Sequence, residues 1–172
     1  MVAGVLIGIP ATASASTCFN WTGVQPPSPG GFDNNLFGVA VLSRCNAWAV
    51  GAYYNDEREI GQTLIEHWNG TAWKRVASPN PSGTSNYNIL NGVVALSASN
   101  AWAVGESIDG TGVHKTLIEH WTGTAWKLVP SPNPSSSGNT LYGVGASSAT
   151  NIWAVGTYNG TTAGQALALH CC

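Results

Sequence analysis

The sequence predicts an all-β fold made of three copies of one four-stranded antiparallel sheet. The motif Asn-Ala-Trp-Ala-Val-Gly at 46–51 returns at 100–105 and, with Ile for the first Ala, at 151–156. Its tryptophans are 54 and 51 residues apart, a period typical of repeats that each form one small sheet. A composition with only 8% charged residues and 21 Gly also favours short strands joined by turns.

Each repeat divides into four short apolar runs separated by turn residues. The first strand is predicted at 36–43, 90–97 and 141–148, and its small residues suit a crowded centre. The second strand carries the tryptophan motif, and the third carries Leu-Ile-Glu-His-Trp, found at 64–68 and 117–121. The loops between these strands differ among the repeats, so any binding specificity is expected there. They are predicted at 53–61, 106–115 and 157–164.

A tight hairpin and a proline-rich exit frame the fourth strand. Asn69 and Gly70 are expected at the two central positions of the hairpin because both residue types accept positive φ. The fourth strand is predicted at 73–76 and 126–129, and Ser-Pro-Asn-Pro follows at 78–81 and 131–134. Proline cannot donate to a sheet ladder, so these segments are expected to end the pairing at an outer edge.

The third repeat is predicted to lack a fourth strand of its own. Residues 165–172 match 62–69 up to the hairpin, whereas 21–29 align with 73–81. The predicted organisation is therefore an apolar arm or signal-like segment at 1–15, a displaced fourth strand at 16–30, and repeats at 31–84, 85–137 and 138–172. The alternative is a fragment of a longer repeat protein.

The order of these landmarks resembles that of kelch-like β-propellers, with glycine after the second strand, an aromatic residue ending the third and Trp opening the fourth. The hairpin at 69–73 is similar to the Asp-box turn of sialidase-type propellers, with Asn69 in place of the Asp. The resemblance implies a secreted bacterial β-propeller with three blades per chain. It leaves the activity open, because such folds host enzymes, lectins and scaffolds.

Three blades are too few to close a ring, because propellers usually have about four to eight. The displaced strand is therefore expected to complete the third blade of a neighbouring chain, in a six-bladed ring of two chains or in an open helical polymer. The residues expected to make this assembly are Cys18, Phe19, Trp21, Val24, Leu167 and Leu169, joined by Val5, Leu6 and Ile7 of the arm where rings link into fibres.

Four cysteines and a signal-like start favour export and disulfide bonds. The alignment of the two ends suggests Cys18–Cys172 together with Cys45–Cys171. Cys18–Cys45 is the alternative, and it leaves Cys171 and Cys172 for each other or for another chain. Sequons for N-glycosylation begin at Asn20, Asn69 and Asn159.

The groups that could carry chemistry have structural interpretations. Histidine recurs at one third-strand position and follows Glu66 and Glu119 in two repeats, a combination that suits metal binding or acid-base chemistry. A structural histidine between blades, hydrogen-bonded in place, is preferred, because equivalent third-strand residues of different blades diverge from the axis. The cluster Asp56, Glu57 and Glu59 is interpreted as a solvated turn. Neither enzyme activity nor a metal or other cofactor is expected. The histidines are His67, His120 and His170, and the tryptophans expected to pack between blades are Trp48, Trp102 and Trp153, with Trp21, Trp73 and Trp126.

These features predict an extracellular structural protein that self-assembles through strand exchange into closed rings and fibres. The alternative is a secreted carbohydrate- or protein-binding propeller of the lectin type. A net charge of −2, with six Lys and Arg scattered along the chain, offers no basic stripe for nucleic acid. The apolar arm is too short to cross a bilayer as a helix. The expected partners are other copies of the chain, with glycans as the alternative.

Overall fold

The computed structural model describes residues 22–55 and 60–171, and this part of the chain folds into eleven β-strands in three antiparallel sheets. Sheet 1 contains β1 (Asn34–Ser43), β2 (Asn46–Tyr54), β3 (Gly61–Trp68) and β4 (Trp73–Val76). Sheet 2 contains β5 (Asn88–Ser97), β6 (Asn100–Ile108), β7 (His114–Trp121) and β8 (Trp126–Leu128). Sheet 3 contains β9 (Asn139–Ser148), β10 (Asn151–Asn159) and β11 (Gly164–Cys171).

Every sheet is a simple meander, in which strands that follow each other in sequence are neighbours in space. The predicted all-β class and its repeats are confirmed. The first and second strands extend further than predicted, so the β2–β3, β6–β7 and β10–β11 connections begin only after Tyr54, Ile108 and Asn159. Much of what the sequence suggested to be variable loop is therefore strand.

The three sheets pack face to face in chain order, with β1 against β5 and β5 against β9. The leading face is the face of sheet 2 that packs on sheet 1 and the face of sheet 3 that packs on sheet 2, and we use the same name for the equivalent face of sheet 1. The opposite face of each sheet is its trailing face, so the trailing face of one sheet packs on the leading face of the next. Trp48 and Val50 on the trailing face of sheet 1 share one core with Val93 and Trp126 on the leading face of sheet 2. A second core joins sheets 2 and 3 through Val104, Leu141, Ala154 and Leu167.

A β-bulge in the first strand explains the glycine that ends the tryptophan motif. The ladder between β1 and β2 shifts by one residue between Leu36 and Gly38, and the same shift occurs in sheet 2. A Cβ on Gly51, Gly105 or Gly156 would overlap the backbone carbonyl of the first strand beside it. Only glycine fits at that point of the second strand.

The β3–β4 hairpin differs by one residue from the expected arrangement. The Asn69 amide donates to the carbonyl of Ala72 at 3.3 Å, so Gly70 and Thr71 occupy the central positions, with Gly70 at φ +97°. Asn69 instead closes the turn with its side chain, whose Oδ1 accepts from the Thr71 amide at 3.0 Å and the Ala72 amide at 3.0 Å.

Candidate assembly site

The outer edge of sheet 3 is open within the described residues. In sheet 1 the third strand pairs with a fourth from Ile65↔Val76 to Trp68↔Trp73, and β7 pairs with β8 in the same way. No described strand pairs with β11 on the side away from β10. A free strand edge presents a row of unpaired amide and carbonyl groups to any further strand.

An apolar groove of about 350 Å³ adjoins this open edge, between sheets 2 and 3. Trp102, Ile118 and Val129 line it from sheet 2 and the segment after it, and Ile152 and Leu169 line it from sheet 3. The groove therefore lies inside a junction between sheets.

The corresponding place between sheets 1 and 2 is filled by the indole of Trp126, which is 4% exposed. Its ring meets Trp48 edge-on with centroids 5.2 Å apart, and Trp121 approaches Trp48 to 4.9 Å. At the next junction the repeat puts Trp102 in the position of Trp48, and Cys171 in the position of Trp121. The ring equivalent to Trp126 would have to come from a fourth strand of sheet 3.

The described part of the displaced strand lies at the other end of the stack. Residues 22–33 contain no strand, and Pro26 lines a hollow of about 310 Å³ on the leading face of sheet 1, together with Ala49 and Trp73. Val24 is 50% exposed. This segment thus lies beside the face that would receive a preceding sheet, rather than against β11 of its own chain.

The predicted assembly residues fall into two groups. Leu167 is buried between sheets 2 and 3, where Leu169 packs against the same core and lines the groove. Val24 is described and lies beside sheet 1. The remaining six residues lie outside the described part of the chain: Val5, Leu6, Ile7, Cys18, Phe19 and Trp21.

The two described cysteines are exposed free thiols. Cys45 lies in the β1–β2 turn, with its Sγ 3.0 Å from where a Cβ on Gly70 would stand, and Cys171 ends β11. The suggested Cys45–Cys171 bond is therefore not formed within the chain. The pairings that involve Cys18 or Cys172 concern residues outside the described part and stay predictions.

The three repeated histidines share one structural setting. Each ring contacts the tryptophan of its own sheet, with centroids 4.2 to 4.4 Å apart; His120 and His170 stack on their partners, whereas His67 is tilted by 39° against Trp48. Each also places Nε2 3.0 to 3.1 Å from an asparagine Oδ1 of the second strand. Burial lowers the pKa of His67 and His120, so the neutral ring donates its Nε2–H to that oxygen. The histidines anchor the tryptophans, as the preferred interpretation holds.

Glu66 and Glu119 are fully buried, and neither carboxylate has a hydrogen-bond partner. Burial raises the pKa of Glu119 to about 8. Burial likewise raises the pKa of Glu66 to about 7, although Arg75 opposes the shift. Glu119 lies on the leading face of sheet 2 and the adjacent His120 on the trailing face, since strand neighbours alternate. The Glu-His pairs therefore do not converge on one site.

A polar cluster that the sequence did not single out links sheets 2 and 3. The carboxylate of Glu106 receives hydrogen bonds from His114 Nδ1 at 2.7 Å and Thr140 Oγ1 at 2.5 Å. Both other sheets carry an uncharged residue at the position of Glu106, Ala52 and Thr157, so the repeat alignment held the signal that this site is specific to sheet 2.

Two of the three sequon asparagines are exposed, Asn69 in the β3–β4 hairpin and Asn159 at the end of β10. Asn69 is held by the hairpin bonds described above, and Asn159 Nδ2 donates to the Ser137 carbonyl at 3.1 Å. Asn20 lies outside the described residues, as do Asp56, Glu57 and Glu59.

In the part of the chain that the structure covers, no three His, Cys, Asp or Glu side chains are grouped closely enough to hold a metal ion. That part also contains no helix with the length and apolarity that a membrane span requires.

Comparisons with known proteins assign no family to the chain. No protein-family model matches the chain, and no curated protein matches it. A solved structure described as YCF48 bound to D1 peptide is similar over 70% of this chain and 45% of its own length, at 13% identity and a TM-score of 0.31. This chain thus spans less than half of that protein.

Proposed function

We propose that the protein is an extracellular structural protein that assembles with copies of itself by strand exchange. Residues 16–30 of one copy would form the fourth strand of sheet 3 in another. The observation that carries the proposal is the open edge of β11 beside an apolar groove, at the place that Trp126 fills in the complete junction. An exposed edge next to unfilled apolar space favours a strand with a large aromatic side chain.

Trp21 is the residue that fits this groove. The sequence alignment puts it at the position of Trp73 and Trp126, so in a donated strand its ring would pack on Trp102 as Trp126 packs on Trp48. Val24 would take the position of Val76, which packs against the sheet 1–sheet 2 core. Donation from another copy is favoured over donation within the chain, because the described segment 22–29 lies by sheet 1.

The three meanders are the blades of a propeller in this proposal. Their inner strands are neighbours, as blades around a common axis require, and two copies would supply six blades with every fourth strand in place. If the rotation between copies does not close, the same contact generates a helical polymer. Residues 1–15 would link rings into fibres, and a Cys18–Cys172 bond would join the two halves of the divided hairpin.

Sedimentation and native mass spectrometry in oxidising buffer test the proposal. We expect the wild-type chain to form dimers or larger species. Trp21→Ala should weaken assembly at least about tenfold, equivalent to about 1.4 kcal/mol, while Trp21→Phe, which keeps an aromatic ring for the groove, should assemble more tightly than Trp21→Ala. A wild-type mass equal to one chain at all concentrations would refute the proposal. Electron microscopy of the assembled material distinguishes rings from fibres.

Glycan binding is the second candidate function, and one observation favours it. Trp153 exposes its ring on the trailing face of sheet 3, and Tyr142 exposes its ring beside that face. Exposed aromatic rings are suited to stacking on sugars. A glycan array probed with the intact assembly tests this function. Glycan binding requires that the rings of Trp153 and Tyr142 stay accessible in the assembly, so an assembly that covers Trp153 and binds no glycan on the array would rule out the lectin function.

A further inference from the structure

The junctions between sheets depend on a glycine that each first strand carries at the same position. A Cβ on Gly38 of β1 would lie 3.1 Å from the Asn91 carbonyl oxygen and 3.2 Å from Cα of Gly92 in β5. A Cβ on Gly92 would lie 3.0 Å from the Tyr142 carbonyl oxygen and 3.3 Å from Cα of Gly143 in β9. Glycine therefore lets the inner strand of the following sheet approach closely.

Gly143 occupies this position in sheet 3, where the described residues supply no following sheet. The atom that its Cβ would meet is Cγ2 of Val155 at 3.5 Å, an ordinary contact within its own sheet. Its φ is not in the left-handed region. Two residues further on, Gly145 takes the place of Ala40 and Val94. That position of the repeat therefore accepts a larger residue, whereas the position of Gly143 carries glycine in all three sheets. The described structure thus gives no local reason for glycine at 143.

The trailing face around Gly143 is apolar and exposed. Trp153 is 48% exposed and Val155 is 50% exposed, whereas their counterparts in sheet 1, Trp48 and Val50, are buried against sheet 2. A face of the same type is covered at both junctions within the chain.

The complementary face lies at the other end of the stack. On the leading face of sheet 1, Val39 is 63% exposed and Val41 is 71% exposed. Their counterparts in sheet 2, Val93 and Ala95, pack into the core with sheet 1. The chain therefore carries one exposed face of each kind, and these two kinds already pair twice within it.

We propose that the leading face of sheet 1 of a second copy docks on the trailing face of sheet 3, with the same spacing as the internal junctions. The backbone of Phe37 and Gly38 in the second copy would lie on Gly143, and Trp153 would pack between Trp68 and Trp73 of that copy. The contact is head-to-tail, because the two faces differ. This inference rests on the proposed self-assembly and adds which faces meet and how closely.

The test is a pair of matched substitutions on one strand. Gly143→Val puts a side chain where the second copy's backbone would lie, and should weaken assembly at least about tenfold. Gly145→Val is the control, because Val94 shows that a valine fits there at an internal junction; it should assemble as the wild type does. Both chains are measured by sedimentation, with thermal unfolding of the dilute protein to show that each folds. If Gly143→Val does not fold, Gly143→Ala replaces it, with the same direction of effect expected.

Mixing two blocked chains tests the head-to-tail geometry. Val39→Asp blocks only the leading face and Gly143→Val only the trailing face, so each chain alone should assemble poorly. Their mixture has one intact face of each kind and should form a heterodimer that does not grow further. Assembly of Gly143→Val equal to that of the wild type would overturn this inference and leave strand exchange standing, whereas a monomeric wild type would overturn both. A mixture that forms no heterodimer would overturn the head-to-tail contact.

Discussion

At the residue scale, the repeat is held by a unit of tryptophan, histidine and asparagine. In sheet 2, Asn100 Oδ1 accepts hydrogen bonds from both Trp102 Nε1 at 2.9 Å and His120 Nε2 at 3.1 Å, and the stacked rings fix the indole orientation. The indole Nε1 atoms of Trp48 and Trp126 lack a hydrogen-bond partner, and so do the buried carboxylates of Glu66 and Glu119. A buried charge without a partner destabilises the fold, so the neutral form is favoured there.

Glu119→Gln should remove a pH dependence of stability. Burial raises the pKa of Glu119 from 4.5 to about 8 in the folded chain. The folded state therefore holds a proton that the unfolded state has released, and stability falls as pH rises from about 4.5 to about 8. The neutral amide avoids this loss, on the order of 4 kcal/mol by pH 8.

Urea unfolding of both chains at pH 5, 6.5 and 8 measures the effect. Glu119→Gln should gain stability relative to the wild type as the pH rises. Parallel pH profiles for the two chains would contradict the assignment of Glu119 as a buried neutral acid.

At the element scale, each sheet is specified by where its backbone must approach another backbone. The bulge of the first strand sets the glycine of the second, and the tight β3–β4 turn sets Gly70 at φ +97°. The polar segments after the fourth strands are fixed in the same local way: the Thr63 backbone amide donates to Asn80 Oδ1 at 2.8 Å, and the Thr116 amide donates to Asn133 Oδ1 at 2.8 Å. These contacts hold the chain after the fourth strand against the sheet that it leaves.

Gly105→Ala should be strongly destabilising, by about 3 kcal/mol or more, because its Cβ would overlap the Ile89 carbonyl and neither backbone segment can move freely. Gly110→Ala is the matched control, since a Cβ there meets nothing within 4 Å, and it should change stability by less than about 0.5 kcal/mol. Chemical denaturation of the two variants gives the comparison. Similar stabilities would show that the bulge can relax.

At the scale of the whole molecule, burial falls from the first to the last sheet at equivalent positions. Trp48 is 2% exposed, Trp102 is partly buried and Trp153 is 48% exposed. The cause is the neighbour that each tryptophan faces: a complete four-stranded sheet, a three-stranded sheet, and no described sheet at all. The described part of the chain therefore ends in two apolar faces, a condition that favours association.

Trp48→Ala and Trp153→Ala should separate folding from assembly. Trp48→Ala leaves a cavity at the sheet 1–sheet 2 junction and should lower the free energy of unfolding by about 3 to 5 kcal/mol. Trp153→Ala should cost the single chain about 1 kcal/mol or less and should instead weaken self-association. Unfolding at low protein concentration and sedimentation at high concentration measure the two effects. Equal losses of stability in both variants would contradict the role given to Trp153.

Aligning the chain with itself was sufficient to predict the order of the strands and the open edge of sheet 3, whereas Leu169 is the one predicted assembly residue that lines the groove. The tryptophan motif, the hairpin and the missing fourth strand of the third repeat could all be found by aligning the chain with itself. The hairpin register was wrong by one residue, because Asn69 closes the turn through its side chain, which backbone preference alone does not reveal. The Glu106, His114 and Thr140 cluster was missed because its members are brought together by sheet packing rather than by sequence spacing.

The sequence by itself determined the all-β class and the repeat, since both follow from the period of apolar and turn residues. Only the tertiary structure decided which faces are covered. Burial depends on the neighbouring sheet, so identical motifs give a buried Trp48 and an exposed Trp153. The close approach at Gly38 and Gly92, and the absence of a described neighbour at Gly143, likewise depend on distances between sheets that no single repeat contains.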